Sequence, residues 1–577
     1  MNSPALLAAV FWPLVPAFGL MARRSRGTAR WLAPWAALPA LLMVPLGIGD
    51  FELGWLLLGG RLGLDAIAAV MLPATAGLWL AAGLFAQSYL EPGARRDAFF
   101  GWYLATLVGN LLLLVALDVV VFYFGFALMS FAAYGLVVHD GGPRARHAGR
   151  YYIALVVVGE VCVITALMML ASPADGIDFP AVRAVFDEGG APVTLVTGLL
   201  IVGFGIKTGL VGLHFWLPLA HPVAPAPASA VLSGAMIKAG LIAWMRLLPL
   251  GEVAWPAWGN GLAIAGLVTA VYGVLAGLPQ REAKTVLAYS SISQMGLMTL
   301  AVGLGLAFPE YWELLFTALL VFMVHHGLVK GALFLGAGVV QHPLRPAMAR
   351  LAGALLTLGA AAIAAAPLTG GLLAKLALKS AGKSLPPPWP EGLPLLLSLS
   401  SVLTALLMAR FLWLAWPRPT VSASPSSTPL FAPWLVLLCA GLAAPWWATS
   451  ADGREAAVTL AASWAATWPL VLAGATAVVA LGLHRAGRWP AIPAVPAGDI
   501  GIPLERAFFA CGRGAARLST ETLPRVIEAL RRAAAAITRD SLSGAAQVGR
   551  ADARLTAWSS TGFLVVLLAI IFASLLA

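Results

Sequence analysis

Charge is what this sequence has least of. Only 11% of its residues are Asp, Glu, Lys or Arg, too few to give a soluble chain of this length its polar surface, so a string of soluble domains is excluded. Cysteine is nearly absent. The three present, Cys162, Cys439 and Cys511, stand far apart and form no metal-ligand spacing. That excludes a disulfide framework and leaves no ligand set for a haem, an iron–sulfur cluster or another metal, so no cofactor is expected. The first two lie in apolar runs and read as small core residues. Acidic residues are the scarcer sign, 25 against 36 basic ones, for a net charge of +11. In a soluble protein that excess would point to nucleic acid. Here the cations cluster in short loops, as membrane topology requires, and no nucleic-acid partner is expected.

What is present is hydrocarbon. Hydrophobic residues make up 60% of the 577, and the mean hydropathy is +0.89. The lipid bilayer is the solvent that suits this composition. A span needs about 20 apolar residues. Such runs fall near 4–21, 31–48, 65–87, 98–116, 118–138, 151–171, 192–213, 228–248, 258–278, 285–306, 312–340, 351–374, 394–415, 430–447, 467–483 and 561–577. The start of 118–138 rests on Asp118 alone. The first run, Pro4 to Met21, is followed by Arg23, Arg24 and Arg26. A secretory signal carries its charge before the apolar run and a cleavage site after it, so the run reads as a retained span. The expected fold is an all-α, polytopic membrane bundle of about 14–16 helices.

Alternate loops test this map. One set carries Arg23 to Arg30, Arg95 and Arg96, Arg144 to Arg150, Arg281 and Lys284, Arg345 and Arg350, Arg418, and Arg485 and Arg488. The other set carries Glu52, Asp175, Asp178, Asp187, Glu188, Glu252, Glu310 and Glu313. The first set is expected in the cytoplasm, the N-terminus outside, and the chain in the inner (plasma) membrane. Two stretches are not spans. Residues 416–429, rich in Ser, Pro and Thr, read as a loop. In 499–557, Leu523, Ile527, Leu530, Ala534 and Ile537 recur at helical spacing among arginines. That is an amphipathic helix, lying on the cytoplasmic membrane face or forming a solvated linker.

The informative residues are the ionisable ones inside the spans: Lys207, Lys238, His325, His326, Lys330, Lys375, Lys379 and Glu160. Each costs about 2.5–3.5 kcal/mol at bilayer depth on insertion scales, so spans keep them mainly for function. One lysine could be a paired packing residue; five are too many for that. Snorkelling accounts for Lys379 near the end of its span and could extend to Lys330, but it accounts poorly for Lys207 and Lys238. A lysine holds its proton in water up to about pH 10.4. Desolvation weakens that hold and a nearby carboxylate restores it, so wetting or moving the partner switches the group between holding and releasing. His326 and Lys330 are four apart on one helix and share a face. Helix breakers sit beside two lysines. Gly203, Gly205 and Gly209 surround Lys207, with Pro218, Pro222, Pro225 and Pro227 after it, and Pro367, Gly370 and Gly371 precede Lys375. Interrupted helices in corresponding halves mark ion pathways in inverted-repeat transporters, and these two breaks lie five spans apart.

The run VGFGIKTGLVGLHFWLPLAHPVAPAPASAVLSGAMIKAG, from Val202 to Gly240, resembles the signature of the proton-conducting, antiporter-like membrane subunits. These occur in respiratory complex I, Mrp-type antiporters, membrane-bound hydrogenases and carbon-uptake complexes. EAKTVLAYSSISQMG (Glu282 to Gly296), HGLVKGALFLGAG (His326 to Gly338) and, more loosely, PLTGGLLAK (Pro367 to Lys375) are similar too, with hydrogenase-4 component B and the Mrp D-type subunits the nearest in detail.

The resemblance implies two inverted five-helix repeats, each with a broken helix. It implies N-terminal spans over 1–97, a first repeat over 98–248, a second over 258–415, and added helices over 430–483, 499–557 and 561–577. It also implies roles. Lys207 would be the central lysine of a first half-channel and Lys238 the connecting lysine. His326 and Lys330 would continue a polar axis, and Lys375 would be the ionisable residue of the second broken helix. His221 matches a histidine after the first broken helix, as a relay or as a capped loop residue. Implied partners are other membrane subunits of a complex I-like, hydrogenase-like, Mrp-like or carbon-uptake complex. The transported ion would be the proton, with sodium the alternative. Any driving redox reaction, of NADH–quinone oxidoreductase or hydrogenase type, would belong to those partners.

The sequence departs from the family in two places. FGFALMSFAAY has Ala127 where a glutamate is usual, and QHPLRPAMAR replaces a glycine-rich turn. The usual partner of the central lysine is therefore missing. Glu160, about 15 Å along the sixth span, is expected to replace it, or else to sit protonated and hydrogen-bonded between helices. Without that glutamate, a non-conducting structural subunit is a further alternative.

Overall fold

The computed structural model describes residues 4–47, 49–54, 56–188, 193–419, 428–488, 495–499 and 528. The chain divides into two units, Met1–Gly501 and Ile502–Ala577. In the second, only Glu528 is described, so the expected amphipathic helix of 499–557 and the span at 561–577 lie outside the described residues, apart from Asp499 and Glu528.

Among its described residues the first unit is mainly helical, with one short two-stranded pairing of Phe51–Glu52 with Arg61–Leu62. Twelve of its described helices are long and apolar enough to cross a membrane, thirteen with the bent pair Pro4–Phe11 and Leu14–Met21. They coincide closely with most of the expected runs. Asp118 does separate two spans: its buried carboxylate accepts from the amides of Val120 and Val121 at 2.9 and 2.8 Å and caps the helix Val119–Val137. One expectation needs correction. The run 31–48 is cut into the short pieces Arg26–Leu32, Ala33–Trp35 and Leu38–Leu42, with Pro34 and Pro39 at the starts of new turns. The run 351–374 is interrupted where its breakers stand: Pro346–Ile363 ends, and Gly370–Ser384 begins after a break that holds Pro367. Cys439 is exposed and Cys162 only half-buried, so neither is a core residue.

Close packing, rather than burial from water, holds such helices together in lipid. Between Pro256–Gly277 and Ala283–Ala307, the glycines at 259, 266, 273, 296 and 303 repeat every seven residues. A Cβ at Gly259 or Gly303 would meet backbone nitrogen at 2.4 Å. Three spans, Ala226–Leu247, Ala283–Ala307 and Pro309–Val339, are enclosed on all sides by the others. Lys238, Lys284, His326 and Lys330 all lie on this inner trio.

Polar ties at the span ends respect the expected alternation of loops. Arg30 pairs with Asp97 at 2.6 Å and Arg144 with Glu282 at 2.7 Å, all within the basic set. Arg183 pairs with Glu252 at 2.9 Å, within the acidic set. On that second side Arg246, buried, reaches Asp65 at 2.8 Å and the carbonyls of Leu113 and Leu114 at 2.7 Å. Asp65 also caps Ala66–Tyr89. This staple joins three spans, and breaking one partner would strand a buried charge.

Candidate functional site

The first break is built from glycine. Val193–Thr208 stops because Gly209 and Gly212 take φ of +82° and +87°, a region that side chains disfavour. The chain resumes as Trp216–Val223. The freed backbone groups are met by protein: the Trp216 indole donates to the Ile206 carbonyl at 2.7 Å, and the Val211 amide donates to the Thr269 hydroxyl at 3.1 Å. That is the condition for unwound backbone at membrane depth.

Lys207 ends the first half of this helix and is 4% exposed. Its amine lies 5.5 Å from the Phe126 ring and 5.8 Å from the Tyr152 ring, within cation–π range. Glu160 is 6% exposed, on the inner face of Pro143–Ala171, while Val157, Val158 and Val161 of the same helix face outward. The two helices approach at Gly159 and Gly203, where a Cβ at Gly203 would meet the Gly159 carbonyl oxygen at 3.1 Å. Glu160 and Lys207 line one cavity of about 10 Å³ with Phe126, Ser130, Tyr152 and Trp216, space for the centre of one water. Neither the carboxylate nor the amine has a hydrogen-bond partner among the described residues. They do not meet as a direct ion pair within 4.0 Å, yet stand close enough for their charges to interact. Ala127 is half-buried on the helix that supplies Phe126 and Ser130.

The remaining basic groups form a row. A π-helical turn, Leu232–Met236, precedes Lys238, a distortion often found at functional sites. The fully buried Lys238 amine folds back to the Ser233 carbonyl at 2.6 Å. Lys330, also fully buried rather than snorkelling, donates to the Leu287 carbonyl at 3.0 Å. His326 lies within electrostatic reach of Lys238, Lys330 and His325, and His325 within reach of Lys375. Lys375 donates to the Ser401 hydroxyl at 2.8 Å, and Lys379, half-buried, to Ser398 at 3.0 Å. His221 is buried, stacks on Phe334 at 4.5 Å, and faces Lys284 and Lys330. The ring nitrogens of His221, His325 and His326 have no partner among the described residues. Lys207 has no direct contact with Lys238, but their helices pack tightly: a Cβ at Gly240 would lie 2.6 Å from the Phe204 carbonyl oxygen.

The second break, after Ile363, takes Ala365 and Leu368 through φ of +64° and +61°. Gly371 is needed there, since a Cβ would fall 2.0 Å from the Ala362 carbonyl oxygen and 3.0 Å from the His325 ring. Lys375 follows one turn later.

Lys284, expected among the loop cations, is instead buried in the first turn of Ala283–Ala307 and donates to the Ala224 carbonyl at 2.5 Å. It borders a cavity of about 1080 Å³ lined also by Glu282, His342, Trp413, Trp416 and Arg418. Arg246 and His214 are two further buried basic groups. His214 lies inside the Val202–Gly240 motif and Arg246 just beyond it, a signal of position that names no partner.

Comparison with known proteins agrees with this architecture. Hydrogenase-4 component B of Escherichia coli is 29% identical over 287 residues, 48% of this chain and 43% of that protein. An NAD(P)H-quinone oxidoreductase chain 4 of Synechococcus sp. is 27% identical over 448 residues, 71% of this chain and 82% of that one. The chain thus spans about half the length of the first of these relatives. Among solved structures, a subunit in the Mrp complex from Dietzia sp. superposes with a TM-score of 0.74 at 21% identity, covering 99% of this chain and 66% of that one. At that identity the likeness shows the fold. Residues 116–385 match the family described as NADH:quinone oxidoreductase/Mrp antiporter, TM. That stretch holds both breaks and every buried lysine of the row, and it carries this chain's likeness to the antiporter-like membrane proteins of that family.

Proposed function

We propose that this chain is a proton-translocating subunit of a multisubunit complex in the inner (plasma) membrane, with its N-terminus outside. The observation that carries the reading is the placement of Lys207, Lys238, Lys330 and Lys375. All are 4% exposed or less, and they lie beside two helix breaks and one π-turn. Lysine amines so buried are expensive to keep as packing residues. Neighbouring sites repel one another's protons, so loading one favours release from the next. His221, His325 and His326 bridge between lysines with ring nitrogens that have no other protein partner described. The large cavity bordered by Lys284 gives water a way to this row from the basic-loop side. The expected pair of inverted five-helix repeats, 98–248 and 258–415, would place one break in each half.

The test is proton movement in inverted membrane vesicles carrying the assembled complex. Lys330→Ala should slow translocation by about tenfold or more, in the range of a lost proton-transfer group. The wild type should pump with sodium removed. A demand for sodium would replace the reading by cation/proton exchange, and unchanged pumping in Lys330→Ala would make the row structural.

Orientation has its own check. Single cysteines placed in the 23–30 and 144–150 loops should be shielded from an impermeant thiol reagent in intact cells. Those in the 173–188 loop should be labelled. Labelling of the basic loops from outside would invert the map.

A further inference from the structure

A second polar cluster lies at the first helix break, apart from the lysine row. After the last described helix, Leu460–Arg485, the chain is described again at residues 495–499. There it turns tightly, the Asp499 amide donating to the Pro496 carbonyl at 3.0 Å. Gly498 permits the turn: its φ is +90°, and a Cβ would lie 3.0 Å from Leu219 on the second half of the broken helix. The Val495 carbonyl accepts from Gln280 Nε2 at 3.2 Å, which fixes the segment to the Arg281-bearing loop. The turn thereby aims Asp499 inward.

Its carboxylate is 5% exposed. The Tyr289 hydroxyl donates to Oδ2 at 2.5 Å, and His214 Nε2 donates to the same oxygen at 3.2 Å. Tyr272 faces it from the neighbouring helix. His214 belongs to the unwound stretch between the two halves of the broken helix and is fully buried, with its ring 5.1 Å from that of Tyr272. The other ring nitrogen, Nδ1, is buried and has no partner among the described residues.

This arrangement has a definite chemical meaning. A carboxylate bonded to one imidazole nitrogen fixes the tautomer and stabilises the imidazolium, leaving the second nitrogen as the proton acceptor. A hydrogen-bonding role alone would not need a buried acid from a distant part of the chain held against a histidine with a free ring nitrogen. We propose that His214 and Asp499 form a proton-loading pair at the first helix break, which receives protons from the basic-loop side and passes them towards Lys207. In the step, the Nδ1 lone pair takes a proton from a hydronium ion on the basic-loop side, which leaves as water, and Nε2–H stays bonded to Asp499. The Nδ1 proton then leaves to the next acceptor, restoring neutral imidazole. Among the described residues, the titratable groups Tyr272 and Tyr289 face the pair. Trp216, two residues beyond His214, lines the cavity that Lys207 and Glu160 share. The inference rests on the translocation reading above, but it can fail while that reading stands.

The experiment uses the assembled complex in inverted vesicles. His214→Ala should lower proton translocation by about tenfold or more, and added imidazole, a small soluble proton carrier, should restore it several-fold. Asp499→Asn should lower it similarly, Asp499→Glu should restore most of the rate, and the double variant His214→Ala, Asp499→Asn should be no slower than the slower single one. If His214→Ala fails to assemble, Asp499→Asn, which changes one oxygen for an amide nitrogen, decides alone together with the Asp499→Glu rescue. An unchanged rate in Asp499→Asn overturns the proposal. So does an assembled His214→Ala complex that imidazole does not help, because a latch that merely holds the segment in place cannot be replaced by a diffusible base. Loss of pumping in the lysine variants with none in these would remove this pair and leave the row intact.

Discussion

Replacing Lys207 with alanine should abolish ion movement, a loss of at least about a hundredfold if no other group takes its proton, while the complex assembles normally. The helix that carries it is terminated by Gly209 and Gly212, not by the lysine, and the break is tied by Trp216 and Thr269. Nothing in that scaffold depends on the amine. The amine has no hydrogen-bond partner among the described residues and stands beside the faces of Phe126 and Tyr152. Its removal therefore relieves a desolvation cost and leaves the cavity larger and wetter. A variant that assembles yet does not pump would separate function from folding. The measurement is the initial rate of vesicle acidification at equal subunit content. Retained pumping would remove Lys207 from the mechanism. Lys238 and Lys375 should behave alike but with partial loss, because each amine holds hydrogen bonds to its surroundings.

How far the sequence could be read follows from what leaves a one-dimensional trace. Span positions did, because about 20 apolar residues in a row leave little choice in a bilayer, and a single acid such as Asp118 was enough to mark a cap. Both breaks did too, through glycine and proline beside a lysine. The second falls where Pro367, Gly370 and Gly371 mark it, between Ile363 and Gly370. The buried lysines were legible as a set, since charge inside an apolar run is conspicuous. Their partners were not. Lys284 looked like a loop cation because its burial depends on Ala224, sixty residues away in sequence. Arg246 and Asp65 are separated by 181 residues, and His214 and Asp499 by 285. Such pairings are products of tertiary packing alone.

The replacement of Ala127 by a remote carboxylate gives the most discriminating outcome. Glu160→Gln should slow proton movement by about tenfold, since the amide keeps the size and hydrogen-bonding capacity of the acid and loses only its charge. Glu160 is buried, and it shares with Lys207 a cavity with space for the centre of one water. A carboxylate that stands near the amine without a direct ion pair suits a partner meant to bias a lysine without locking its proton. Adding Ala127→Glu to Glu160→Gln should then recover part of the rate. Ser130 lines that same cavity, and position 127 lies one helical turn before it on the same face, so a glutamate there can extend its carboxylate into the same space. Ala127→Glu alone should place two acids at one site and gain nothing. Unchanged pumping in Glu160→Gln would mean that the residue is protonated and serves only as a hydrogen-bonding side chain between helices. Loss in Glu160→Gln without recovery in the double variant would mean that position 127 no longer reaches the lysine.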